Sequence, residues 1–126
     1  MGAITKFEDI NAWQEARSLT KMVYTLTRRE PFAHDFGLRD QIQRASVSSM
    51  SNIAEGFDCE SKLEFGRFLG IARRSSVEVQ SLLYVAMDVG YILPVEFAQH
   101  YEQVRKTKAL IGGFKKSVLN RADIRR

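Results

Sequence analysis

The 126-residue chain has one cysteine, two prolines, eight glycines and two histidines, and each scarcity removes a class of protein. Cys59 alone can form no disulfide within the chain and no cysteine-based zinc cluster, so a reducing, cytoplasmic setting is the expectation. Sparse glycine and proline argue against an all-β fold, which needs many turns, and favour long helices. No apolar run reaches the roughly 18 residues of a membrane-spanning helix. Residues 1–8, with one lysine and no apolar core, do not fit a signal peptide. His34 and His100 are too few for a dinuclear metal site built from Glu-x-x-His motifs on facing helices, and only Glu96 stands one turn from His100. They are also poor stock for a general base beside a serine nucleophile. Cys59, between Asp58 and Glu60, is no better placed to attack. There is no Walker loop and no glycine fingerprint after a strand. The expectation is a non-enzyme with no cofactor and no metal.

What is present is a hydrophobic fraction of 44% and a charged fraction of 27%, the balance of one globular domain. Four stretches carry the apolar rhythm of amphipathic helices, predicted over residues 8–30, 38–56, 61–89 and 94–120. In the first, Ala12, Ala16, Leu19, Val23 and Leu26 fall on one stripe, widened by Ile10, Trp13 and Tyr24. Glu8 and Asp9 suit its positive end, Arg28 and Arg29 its negative end, and Pro31 stops it. The second stripe is Leu38, Ile42, Ala45, Ser49, Asn52 and Gly56, with Asp35 as candidate N-cap. Its many small residues predict close helix contact and hydroxyls bonded one turn back. Ser61 and Glu64 form a candidate capping box for the third helix, whose stripe is Phe65, Leu69, Ala72, Ser76, Val79, Leu83, Ala86 and Gly90. Phe68, Ile71, Leu82 and Tyr84 add an apolar shoulder to it. Gly90 is its candidate C-cap, and Pro94 fits the first turn of the fourth helix. There Phe97, Tyr101, Val104, Ile111, Phe114 and Val118 point inward, and Gly112-Gly113 predicts a kink or a close backbone contact. The result is an all-α, antiparallel up-down-up-down four-helix bundle with a flexible tail at 121–126.

Charge is unevenly placed. The net charge is +4, yet residues 101–126 carry eight basic groups against two acidic ones, while residues 1–100 are slightly acidic. Such asymmetry points to a polyanionic partner, or to a solvated helix face and tail. Two further charged features stand on the helices. Arg44 and Glu55, eleven positions apart, share a face and would either tie helices together or line an interface. Arg73 and Arg74 with Ser75 and Ser76 would either grip phosphate or reach Glu55 or Glu78. Most aromatics sit on the apolar stripes, so stacking on bases is weakly supported.

Certain blocks resemble a known family. They are Asp9-x-x-Ala12-Trp13-Gln14-x-Ala16, Pro31, Phe36-Gly37-Leu38, Gln41-Ile42-x-Arg44-Ala45-x-Val47-Ser48, Asn52-Ile53-Ala54-Glu55-Gly56, Phe68-Leu69-x-Ile71-Ala72-Arg73-x-Ser75-x-x-Glu78 and Gly90-Tyr91. Together they resemble the bacterial four-helix-bundle proteins of 23S ribosomal RNA intervening sequences, over nearly the whole chain. The resemblance implies a left-handed bundle assembled as a ring-like homopentamer, with no established enzymatic activity. A more distant likeness is to the accessory variability determinant protein of diversity-generating retroelements, which implies binding of nucleic acid and of a reverse transcriptase through a basic surface. Arg74 departs from a usual glycine and His34 from a usual glutamate.

The expected function is an oligomeric scaffold binding RNA or single-stranded nucleic acid. Its contributors would be Arg105, Lys108, Lys115 and Lys116, with Arg73 and Arg74. Trp13, Arg44, Asn52, Glu55 and Gly56 are expected in structural or interface roles. The alternatives are a protein-binding adaptor or a structural protein of a mobile element.

Overall fold

The computed structural model describes residues 4–121, so the flexibility expected of Arg125 and Arg126 lies outside the described residues. Four helices follow one another: α1 (Asn11–Thr27), α2 (Phe36–Phe57), α3 (Lys62–Asp88) and α4 (Pro94–Asn120). Helix α1 packs on α2 and α4, and α3 packs on the same two, which makes a four-cornered bundle. Cross-helix contacts fix the antiparallel register. Ser48 meets Ser75 between α2 and α3, Tyr84 meets Tyr101 between α3 and α4, and Gln103 reaches Glu15 between α4 and α1.

The helix ends show local chemistry and its limits. Glu8 and Asp9 do not open α1; they lie in a 3-10 turn, Phe7–Asp9, and α1 starts only after the buried, extended Ile10. At its far end α1 stops at Thr27, three residues before the predicted end, and a second 3-10 turn, Phe32–His34, follows. Arg29 is drawn away to the N-terminal turn of α4, where it pairs with Glu96 and donates to the Tyr91 carbonyl. Asp35 caps α2 as expected, its carboxylate accepting from the Leu38 N–H at 3.2 Å, and its other oxygen takes the Tyr91 hydroxyl at 2.8 Å. Ser61 caps α3 through the Glu64 N–H, but Glu64 turns to Arg67 instead of completing the box. Gly90, at φ +84°, closes α3 in a Schellman motif. Tyr91 N–H donates to the Ala86 carbonyl and Gly90 N–H to that of Met87.

Two apolar lobes make the core. One gathers Leu19, Val23, Ile42, Val79, Leu83 and Val104, and the other Ala12, Ala16, Ile53, Phe65, Leu69 and Ile111. Between them runs a belt of buried hydroxyls from Ser46, Ser49, Ser76 and Thr107. Ser49 and Ser76 donate to carbonyls of their own helices, as expected of small hydroxyls in a helix, while Thr107 donates to Gln103 of its own helix and lies 3.4 Å from the Glu15 carbonyl. No described buried side-chain polar atom lacks a partner. Most residues of the apolar stripes read from the sequence are buried, while Leu38, Asn52, Phe97, Tyr101 and Phe114 are only partly so; Gly90 lies outside the core, and Tyr84, on the shoulder of α3, is 48% exposed.

Candidate nucleic-acid interface

The basic residues of α3 and α4 meet because the two helices run antiparallel with small residues at the contact. A methyl group at Gly70 would stand 3.1 Å from Lys115 Nζ and 3.7 Å from Arg74 Nη1, so both cations converge over that glycine. One turn along, a methyl at Gly112 would sit 3.5 Å from Arg73 Nε, which places the second arginine over α4. Further on, Lys108 Nζ donates to Gln80 Oε1 at 3.3 Å. Gly66 lies beneath Leu119 in the same seam, and Lys62 donates to the Arg121 carbonyl at its end. Arg73, Arg74, Lys108 and Lys115 thus form one line, and none has a carboxylate partner among the described residues. Four cations so close together repel one another unless an anion joins them.

The remaining basic residues divide. Lys116 is exposed and lies beside the seam without an ion pair. Arg105 is held by Glu102 one turn back at 2.6 and 2.9 Å. That hydrogen-bonded pairing pushes the guanidinium pKa up and the Glu102 carboxyl down, so Arg105 offers less free charge than its neighbours. Lys106 faces the other side, 3.5 Å from Glu15. The alternative in which Arg73 and Arg74 reach Glu55 or Glu78 is not what the fold contains: Glu78 accepts from Gln41, and neither arginine pairs with either acid. The two serines after them are structural. Ser75 bonds Ser48 across to α2 at 2.8 Å, and Ser76 is buried.

The residues expected to be structural fall in different places. Trp13 is buried at the foot of α1, edge-on to Phe7 at 5.0 Å and beneath the Arg17 guanidinium. Gly56 is where α2 and α3 touch: an added Cβ would stand 2.8 Å from Phe68 Cβ and 2.9 Å from Phe65 Cδ1. Asn52 is half-buried and donates to the Ser48 carbonyl and hydroxyl, both at 2.9 Å. Arg44 and Glu55 stand exposed on α2, and neither side chain has a partner among the described residues. Of the two α4 glycines, Gly112 has Arg73 above it, but Gly113 faces open space, so the close contact expected there is absent. His34 is exposed and paired with Glu30, and Arg74 occupies its place in the seam without disturbing α3.

Sequence reading missed Gly66 and Gly70: Gly70 stands three and four residues before Arg73 and Arg74, and Gly66 one turn earlier, which marks the same face. Phe97 and Tyr101, expected to point inward, and Tyr84, expected on the shoulder of α3, cluster at the outer end of the seam, where Phe97 packs against the core and Tyr84 is half exposed. The rings of Tyr84 and Phe97 are 4.7 Å apart and those of Phe97 and Tyr101 5.2 Å. Among the described residues no group of three or more His, Cys, Asp or Glu could hold a metal ion, and no helix is long and apolar enough to cross a membrane.

An all-α bundle with a cationic seam is the class that these features define. The match that places it more narrowly covers residues 8–113, and the chain belongs to the 23S rRNA-intervening sequence protein family. A crystal structure at 1.70 Å resolution, of a protein of unknown function from the S23 ribosomal protein family of Bacteroides thetaiotaomicron, is similar, with a TM-score of 0.76 at 19% identity. The likeness covers 83% of this chain and 95% of that one, and at this identity it shows the fold alone. No curated protein matches the chain. Neither comparison indicates an enzymatic family.

Proposed function

We propose that the chain is a non-enzymatic scaffold that binds nucleic acid, RNA foremost, along the seam between α3 and α4. The observation that carries this reading is the line Arg73, Arg74, Lys108 and Lys115, free of carboxylates and laid over Gly70 and Gly112. A phosphate backbone supplies the negative charge that such a line lacks, spaced along a strand as the cations are along the helices. Lys116 adds to the same field, and Arg105 contributes if Glu102 is displaced. The family name, which refers to an intervening sequence of 23S rRNA, fits this reading.

Assembly of several copies, five by the resemblance, belongs to the same proposal. Arg44 and Glu55 support it: they carry opposite charges on one exposed face, and their side chains find no partner among the described residues. Repeating the seam around a ring would turn a modest local charge into a strong field. Light scattering of the purified protein measures the copy number.

Binding of a labelled single-stranded RNA should fall steeply between about 50 and about 200 mM salt, with log affinity dropping by about 0.7 per neutralised phosphate against log salt. Arg74→Glu with Lys115→Glu should weaken binding at every salt concentration and flatten that slope. Unchanged affinity in the double variant, or a flat salt profile for the wild type, rejects the seam. A protein partner is the rival reading, favoured by the exposed Val89, Leu93, Val95 and Phe36, on turns and helix ends at one pole of the bundle.

A further inference from the structure

The seam ends in aromatic rings, and the ligand that matches both halves is a single strand with its bases free. On α4, Phe97, Tyr101, Arg105, Lys108, Gly112 and Lys115 are spaced by three or four residues and keep to one face. On α3, Gly70, Arg73, Arg74, Gln80 and Tyr84 line the opposite bank. Tyr84 continues the cationic line one turn beyond Gln80. It is 48% exposed, and its hydroxyl has no partner among the described residues. Its ring is propped by Phe97 at 4.7 Å and Tyr101 at 5.8 Å, the second contact edge-on. Phe97 and Tyr101 stack on each other, so the prop is itself braced. An exposed ring held in place from behind presents a surface that costs little ordering to use.

We infer that Tyr84, backed by Phe97 and Tyr101, is a base-stacking platform, so that the seam selects single-stranded nucleic acid over duplex. The inference rests on the proposed function of the seam. From Gly70 to Tyr84 is about 21 Å along α3 at ~1.5 Å per residue, room for several nucleotides of a single strand. Phosphates would track the cations while a base leaves the strand and lies against the tyrosine. A duplex has phosphates of the same charge, but its bases are already paired and stacked, so it would meet only the basic part. Stacking is tolerant of sequence because every base has a flat face. The platform therefore confers preference for strand form, not for a particular sequence.

The test uses fluorescence anisotropy of the full chain with three probes of equal length: a labelled oligouridine, an abasic strand with the same phosphates, and an RNA duplex. Tyr84→Ala should weaken the oligouridine by on the order of ten-fold, the usual effect of removing one stacking ring. It should leave the abasic strand and the duplex within experimental error, and Tyr84→Phe should restore the loss. Equal loss on all three probes, or no loss on the oligouridine, overturns the platform, as does a wild-type protein that prefers the duplex. Arg74→Glu with Lys115→Glu should weaken all three probes alike. If that double variant binds normally, it is the seam that fails, not the platform alone. Circular dichroism of Tyr84→Ala, matching that of the wild type, shows that the helices are intact.

Discussion

Single atoms decide how near the helices come. At Gly56 an added methyl would lie 2.8 Å from Phe68 Cβ, 2.9 Å from Phe65 Cδ1 and 3.3 Å from the Phe65 carbonyl oxygen. None of these is the loose end of a flexible side chain, so α2 and α3 would have to part. Gly56→Ala is expected to cost about 1–3 kcal/mol, as overpacking does elsewhere, read from the midpoint of urea unfolding. Gly113 gives the opposite sign. It lies within α4 with nothing within 4 Å of an added Cβ, so Gly113→Ala is expected to stabilise by about 0.5–1 kcal/mol in the same measurement. The two glycines, both within helices, differ in what stands opposite. The stripe of small residues already placed Gly56 inward, whereas for Gly112-Gly113 a kink or a close contact was expected, and only the structure shows Gly113 facing open space.

At the scale of elements, one pole of the bundle is fastened by side chains from three loops and helix ends. Tyr91 bonds Asp35, Phe32 stacks on Tyr91 at 5.0 Å, and Arg29 pairs with Glu96 at the start of α4. Glu96 also accepts the Leu93 N–H at 2.8 Å. The Arg29 guanidinium, and then that N–H, hold its carboxyl down from the ordinary 4.5 to about 2. A carboxyl whose folded value lies below its unfolded one adds stability that is complete above about 4.5 and is lost as the pH falls towards 2. Glu96→Gln should therefore lower the thermal midpoint at neutral pH, and the gap to wild type should close on acidification, checked by melts from pH 7 to pH 2. The short first helix has the same origin. Nothing in Arg28-Arg29-Glu30 announces a break before Pro31; a partner 67 residues away, on α4, takes Arg29 out of the helical register. Caps made from neighbours in the chain, such as Asp35, Ser61 and Gly90, were legible, and those completed from afar were not.

For the whole molecule, the seven-residue rhythm was enough to give four helices and their order, because each stripe can be buried only against the others. The candidate site was half legible. The surplus of charge in the last segment could be counted, but its position could not. Arg73 and Arg74 become neighbours of Lys115 only through the antiparallel register, and Arg105 is quietened by a glutamate one turn back whose spacing could have been noticed. The apolar shoulder that includes Tyr84 predicts a contact with a neighbouring helix, which Phe97 and Tyr101 supply, but not that the ring stays half exposed. The belt of hydroxyls between the lobes bears on how the molecule responds to change. Ser49 and Ser76 spend their bonds on their own helices, and the buried apolar residues fall into two clusters on either side of them. Damage at the two ends should then simply add. Leu83→Ala and Leu69→Ala, combined, should destabilise by the sum of the single losses to within ~0.5 kcal/mol in a double-mutant cycle, whereas a coupling above ~1 kcal/mol would show an undivided interior. Such independence would let evolution retune the aromatic pole of the seam without loosening the opposite end, two workshops under one roof.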